Sequence, residues 1–579
     1  MAKMSAREKG SISNMIAAID FGTTYSGYAF GFKNELDEDP TQVFCFQWHG
    51  NGGIMSLKLP TTVLLNEEKE LVAFGYEAEE MYSGEEHLDY LYFHRFKMML
   101  YDQIRKERLT MDAKVKDIQG REMPALEIFT HAVKFMKNHL FKNLEGRGIK
   151  VDDFKIIWVL TVPAIWDDPA KQFMRKAAEQ AGIPRKDLRI ALEPEAASIW
   201  CKTIPVEKLN QGAIVSFQEG TKYLVLDAGG GTVDITIHEV IKEGKLKELA
   251  RASGGDWGGI SVDAAFEEAL MEIVGKDLMD TFRQHHTVDY LELFRNFELK
   301  KRSKKESDDV ILYVPVSFVD ICEDLDKLIA RSNFQGSMEL ELDKLRIKPS
   351  TFDSFFTPTC RRVVKHVQNL LQSSKAEGVE FILMVGGFSE SPVLQDAIKD
   401  AFSPQYRVVI PQEAGLTVLR GAVLFGNDPE VIACRIAQRT YGIATTSLFD
   451  SKIHKASKKI TVNGEDRCSN LFSRHVKIGD ELYLNVAQAE KTYTPIKADQ
   501  TSMRISLYKS NNDDTMYIDD PGCDYLGGFD VPMTDTTGGL DREVKVRLLF
   551  GGTEIEVKCL VVKTKAEVSS HFSFLEPEP

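Results

Sequence analysis

The chain has 579 residues, 43% hydrophobic and 27% charged, with 87 acidic against 72 basic side chains and a net charge of −15. These fractions are ordinary for globular protein and exclude a disordered, collagenous or membrane-spanning composition, and at about 150 residues per domain the length holds three or four compact units. The acidic balance argues against a nucleic-acid partner, because a phosphate backbone selects basic surfaces.

Residues 1–14 form a polar tail without the apolar stretch of a secretion signal. An apolar run, Met15-Ile16-Ala17-Ala18-Ile19, then ends in Asp20 and is followed by Phe21-Gly22-Thr23-Thr24 and a second strand-like run over residues 25–32. Strand, tight turn, strand is a hairpin pattern. The same order recurs some two hundred residues on, where Tyr223-Leu224-Val225-Leu226-Asp227 leads into Ala228-Gly229-Gly230-Gly231-Thr232 and the run 233–240. A pattern met twice in one chain predicts two related halves.

Between the hairpins, residues 155–162 are apolar almost throughout, as a strand covered on both faces should be. Asp168-Pro169 supplies an N-cap and a first-turn proline for a helix over 170–181 that Gly182 stops. Glu193 follows another apolar run and opens a helix, where a carboxylate is favoured by the helix dipole. The basic run 300–305 reads as a solvated helix face, with a nuclear address or polyanion contact as the alternative. A third apolar strand over 381–385 ends in Gly386-Gly387, and Pro392 opens a helix. Strands alternating with helices predict α/β layers.

Beyond residue 435 short alternating runs take over, such as 503–508 and 554–562, separated by turn-rich pieces including Asp520-Pro521-Gly522. That texture predicts an antiparallel β-sandwich. Eight scattered cysteines, with no Cys-x-x-Cys and no adjacent histidines, predict neither a disulfide framework nor a zinc site. With no apolar run near the roughly 18 residues of a membrane helix, no membrane span is expected, and the reducing cytosol is the simplest location, the basic run also admitting the nucleus.

A Gly/Thr turn between strands exposes backbone N–H groups that can wrap phosphate oxygens, and a carboxylate just before it suits Mg²⁺. Two such turns facing each other would clamp a metal-bound polyphosphate from both sides.

Residues 19–26, Val162-Pro163-Ala164, Glu193-Pro194, residues 227–232 and Val385-Gly386-Gly387 occur in the order found in the 70-kDa heat-shock chaperones, members of the actin-like ATPase superfamily that also holds sugar kinases. The wording of Phe96-Lys97-Met98 and of residues 192–199 and 420–426 is similar to the divergent 12A/12B branch of that family. The resemblance covers residues 15–430 and implies an actin-like nucleotide-binding domain of two duplicated lobes, a linker over 431–439, and a β-sandwich substrate-binding domain over 440–579 that leaves no room for a helical lid.

The resemblance implies roles at matching positions. Asp20 and Asp227 would face Mg²⁺, mainly through water. Gly22, Thr23, Thr24, Tyr25 and the amides of Gly229, Gly230 and Gly231 would hold ATP or ADP phosphates, with Thr232 near the γ-phosphate. Lys97, in competition with Arg95, would position the attacking water, Glu193 would act on the metal waters, and Asp234 would accept a proton. Glu298, Lys301 and Arg302 would pack on adenosine opposite Gly386 and Gly387, which sharpens the reading of the basic run.

Three departures stand out. Glu390 replaces the family's adenine-stacking arginine, Gln412 replaces an aspartate, and the turn Gly258-Gly259-Ile260-Ser261 lacks the usual acidic residues. The linker, 431–439, is apolar but basic. The expected function is an atypical Mg-ATP-binding chaperone with slow hydrolysis and a peptide or other client. A non-catalytic nucleotide-switched scaffold and a small-molecule kinase of the same superfamily are the alternatives.

Overall fold

The computed structural model describes residues 13–50, 55–84, 87–101, 109–205, 216–304, 308–484, 486–488, 490–550, 555–571 and 575. Residues 1–12 of the expected tail, Lys305 and Glu554 lie outside them.

The first apolar run forms the strand Ser13–Phe21, paired antiparallel with Tyr25–Phe32 across the Gly/Thr turn and parallel with Phe154–Val162. Leu188–Leu192 adds a further parallel strand, and the short strands Phe44–Cys45 and Leu59–Pro60 pair with Tyr25–Phe32. The second hairpin, Lys222–Ala228 with Val233–Val240, heads a seven-stranded sheet in the order Arg407–Val409, Val379–Val385, Lys222–Ala228, Val233–Val240, Leu246–Gly255, Ile432–Ile436, Glu481–Tyr483. In both sheets the hairpin is flanked on its leading-strand side by two parallel strands. Both leading strands are buried on both faces, which is why they read as unbroken apolar runs rather than alternating ones. The strand over 154–162 is only half-buried in its first residues and fully buried from Trp158 onward.

Helices cover the sheets. Ala125–Gly146 and Asp168–Gln180 pack on the first, and a separate cluster around Phe266, Phe297 and Phe352 packs on the second. The N-cap of the helix Asp168–Gln180 is Asp167, whose carboxylate accepts from Ala170 N, one residue earlier than the sequence pattern places it. A third apolar cluster lies between the two sheets, where Ile16 and Val159 of one and Val225 and Leu383 of the other meet the helices Glu193–Thr203 and Thr417–Asn427. This central layer fixes the two hairpins against each other.

Part of the segment expected as a linker is docked on the second sheet. Ile432–Ile436 is a strand of the second sheet, parallel to Leu246–Gly255 on one side and antiparallel to Glu481–Tyr483 on the other. Its basic residue is enclosed: Arg435 donates through Nε and Nη2 to the two oxygens of Glu195, each at 2.7 Å. A glutamate of the helix Glu193–Thr203 thus supplies the charge that lets a basic segment dock.

Beyond it, two antiparallel sheets share one core. One runs Lys459–Val462, Glu465–Val476, Thr440–Leu448, Ser502–Ser510, Cys523–Pro532, and the other Lys491–Tyr493, Val544–Leu549, Glu556–Val561, Ala566–His571. Met503, Ile505 and Leu507 of the first face Val546, Val557 and Cys559 of the second, as the alternating pattern predicts. This part touches the first through Tyr441 Oη, which donates to Asp168 Oδ2 at 2.9 Å, and Lys509, 3.2 Å from Asp167. All eight cysteines are free. Among the described residues no helix is long and apolar enough to cross a membrane.

Candidate functional site

Both turns open into one cavity of about 380 Å³. Its walls include Asp20, Gly22, Thr23, Thr24 and Tyr25 from the first hairpin and Asp227 with Gly229 to Thr232 from the second. Strand register explains the carboxylates: Asp20 sits opposite Gly27 and Asp227 opposite Asp234, at the turn ends of their hairpins. The turns lie close enough that a methyl group on Gly231 would stand 2.5 Å from Thr23 Oγ1.

The glycine-rich turn is braced from behind. Gly258, Gly259 and Ile260 donate their N–H groups to the carbonyls of Gly231, Gly229 and Gly230, at 3.1, 3.1 and 2.8 Å. A Cβ on Gly258 would lie 2.5 Å from Gly230 O, so only glycine admits this contact. With its carbonyls satisfied from behind, the turn lines the cavity. Gly229 spends its N–H on Thr232 O at 2.9 Å, so of the three amides expected to hold phosphate this one is committed to the hairpin.

Lys97, rather than Arg95, takes the cavity position. Its ammonium lies 2.8 Å from Glu193 Oε1 and 5.1 Å from the centre of the Trp166 ring, and the residue is 3% exposed. Arg95 turns to Asp263 Oδ2 at 2.6 Å. Burial pushes the Glu193 carboxyl up to about 7, with the charges of Asp20 and Asp234 adding to the effect and Lys97 opposing it. Asp227 is raised well above the usual carboxylate range by burial and then by Glu193, Asp234 and Asp20. Its Oδ2 is buried without a hydrogen-bond partner.

Asp234 does not line the cavity. Its carboxylate accepts from Ile165 N at 2.9 Å and is 1% exposed, so Val162-Pro163-Ala164 and the second hairpin are stitched together by this residue. Burial raises its pKa. The expected proton acceptor is thus held by the Ile165 amide and by the side chain of Thr232, which itself lines the cavity.

At the far end, Glu298, Lys301, Arg302, Gly386 and Gly387 line the same cavity. The Arg302 guanidinium lies 4.3 Å from the centre of the Tyr25 ring and 2.8 Å from Glu298 Oε1. Lys301 is enclosed between Asp263 Oδ1, at 2.6 Å, and Gly259 O, at 3.0 Å. Burial works against Glu298, yet Lys301 and Arg302 hold its carboxyl below the usual range. Asp263, in the first turn of the helix Ile260–Val274, thus supplies the acid that Gly258 to Ser261 lack. Glu390 accepts from Gly415 N at 3.0 Å and joins the turn after Val385 to the one before Thr417. Glu413, with a left-handed φ of 56°, reaches the cavity wall and pairs with Arg420 at 2.9 Å, whereas its neighbour Gln412 does not line the cavity.

The donor set suits magnesium better than an all-protein metal cage. Among the described residues no group of three or more His, Cys, Asp or Glu side chains converges on one point. Two hard carboxylates on the cavity wall, one with an orphaned buried oxygen, match an ion that keeps its waters and shares phosphate oxygens. Sequence reasoning missed Lys58, whose Nζ lies 2.6 Å from Asp20 Oδ2, and the Asp263 partner. Neither carries a local signal, since a polar residue outside a periodic run has no pattern of its own.

The protein-family model described as Hsp70 protein matches residues 84–507. The chain is similar to heat shock 70 kDa protein 12A of Homo sapiens, 33% identical over 97% of this chain and 91% of that protein. It is likewise 33% identical to heat shock 70 kDa protein 12B of Homo sapiens, over 99% of this chain and 93% of that one. Chaperone protein DnaK of Methanothermobacter thermautotrophicus is 26% identical over 69% of this chain and 60% of its own length.

Proposed function

The chain belongs to the Hsp70 family, and on that premise we propose that it is an atypical chaperone that binds Mg-ATP, hydrolyses it slowly and couples this to a peptide or other client held by the β-rich part. The carrying observation is the pair of Gly/Thr turns, each preceded by a carboxylate, meeting in one cavity. The matching strand orders of the two sheets support duplicated lobes, and the two antiparallel sheets with a shared core support a sandwich-type binding domain.

Thr23, Thr24 and the free amides of the glycine turn hold the phosphates, and Thr232 addresses the terminal one. Lys97 places the attacking water, fixed in position by Glu193. Arg302 and Glu298 form the wall for the nucleoside, with Gly386 and Gly387 opposite. Asp20 and Asp227 would hold Mg²⁺, mainly through water, and the ion would supply neutralisation of phosphate charge. Positioning and charge neutralisation are nearly all that phosphoryl transfer asks of a protein.

Slow turnover follows from Asp234 lying behind the cavity lining, held by Ile165 N and Thr232. The same observation favours a second reading, a nucleotide-switched scaffold without catalysis. Isothermal calorimetry with Mg-ATP tests the site: Asp227→Ala and Thr23→Ala should abolish binding, and intact binding in both refutes it. Phosphate release no faster than that of Glu193→Gln, with tight ATP binding, selects the scaffold.

A further inference from the structure

Lys58 enters the cavity from a segment with no part in either hairpin turn. The adjoining strand Leu59–Pro60 pairs with the start of Tyr25–Phe32, with Leu59 opposite Ser26, so Lys58 comes to lie over Gly27. A Cβ on Gly27 would stand 3.1 Å from Lys58 Cγ and 3.0 Å from Leu57 O, so the bare backbone there lets the lysine stem lie flat. Gly27 is in turn the ladder partner of Asp20. The stem is thereby aimed at one carboxylate, and Nζ reaches Asp20 Oδ2 at 2.6 Å.

The other oxygen of Asp20 accepts from Thr161 Oγ1 at 2.8 Å, so this carboxylate is satisfied without any metal. Glu193 is likewise matched by Lys97. Of the carboxylates beside the two turns, Asp20 and Glu193 each have an ammonium partner, and among the described residues Asp227 keeps an orphaned oxygen. An ammonium has three N–H donors. Asp20 takes one of those on Lys58, whose side chain remains 17% exposed on the cavity wall and has donors left for phosphate oxygens.

We propose that Lys58 is a built-in cation that binds the nucleotide phosphates and makes nucleotide affinity only weakly dependent on magnesium. The proposal rests on the nucleotide-binding reading above. Without the metal, Lys58 bridges Asp20 and phosphate. With it, Asp20 turns to the metal's waters and Lys58 stays with the phosphate. A charge-assisted contact of this kind is worth on the order of 10- to 100-fold in affinity.

The test is the ratio of ADP dissociation constants in EDTA and in excess Mg²⁺, read by calorimetry. Wild type should give a small ratio. Lys58→Met should raise it at least about tenfold above wild type, and Lys58→Arg, which keeps the charge, should bring it back. A Lys58→Met ratio within that margin of the wild-type one overturns the proposal. Wild type alone gives a second measurement should the methionine variant not fold: ADP in EDTA should still raise the melting temperature. A rise with Mg-ADP but none in EDTA overturns the role of Lys58 and leaves nucleotide binding standing. No rise in either condition overturns nucleotide binding, and the role of Lys58 with it.

Discussion

Replacing Arg435 by methionine tests how the β-rich part is tied to the site. The guanidinium and the Glu195 carboxylate form two hydrogen bonds of 2.7 Å, with the residues 8% and 3% exposed. Removing the arginine strands a carboxylate where water does not reach, which costs about 3–5 kcal/mol, although the intact pair is worth little against a well-packed apolar replacement. Against a domain stability of about 5–15 kcal/mol, that loss is large. It should appear first in the strand Ile432–Ile436, held to its parallel neighbour by the short register Leu246↔Ile432 and Lys247↔Cys434. Arg435→Met should therefore lose about 3–5 kcal/mol in urea unfolding and lose amide-exchange protection over 432–436, while residues 15–19 stay protected. Glu195→Leu/Arg435→Met should recover to within about 1 kcal/mol of wild type. Glu195 lies two residues after Glu193 on the helix Glu193–Thr203, so the loosened helix start should also slow phosphate release. A single variant that loses less than about 1 kcal/mol, or a double variant no better than the sum of the singles, refutes the reasoning.

Glu248 gives a pH prediction. Its carboxylate accepts from Ile436 N at 2.7 Å, and burial pushes its pKa up to about 8 from 4.5, against the pull of that N–H and of Arg435. The folded value lies above the unfolded one, so its stabilising contribution is complete below pH 4.5 and is lost as pH rises through 8. The urea midpoint should fall across that window and fall less in Glu248→Gln; an identical slope in both proteins refutes the assignment. Gly258→Ala should collapse nucleotide affinity while leaving the circular dichroism spectrum near wild type, because the new methyl group would press on the Gly230 carbonyl. Unchanged affinity would show that the brace behind the glycine turn is dispensable.

The sequence by itself determined the two hairpins, the α/β layering, the alternating strands of the last third and the turn residues that enter the cavity. Those signals are local: an apolar run, a carboxylate and a glycine turn are read within ten residues, and the 3.6 and 2.0 periods need no knowledge of partners. Tertiary structure decided the rest. It put Lys97 rather than Arg95 in the cavity, gave Asp234 to Ile165 N and Thr232, and added residues 432–436 to the second sheet. It also brought Lys58 to Asp20, 38 residues away, and Arg435 to Glu195, 240 residues away. The partner of a buried charge is fixed by how sheets and helices stack, and a lone lysine or arginine carries no mark of the carboxylate it will meet.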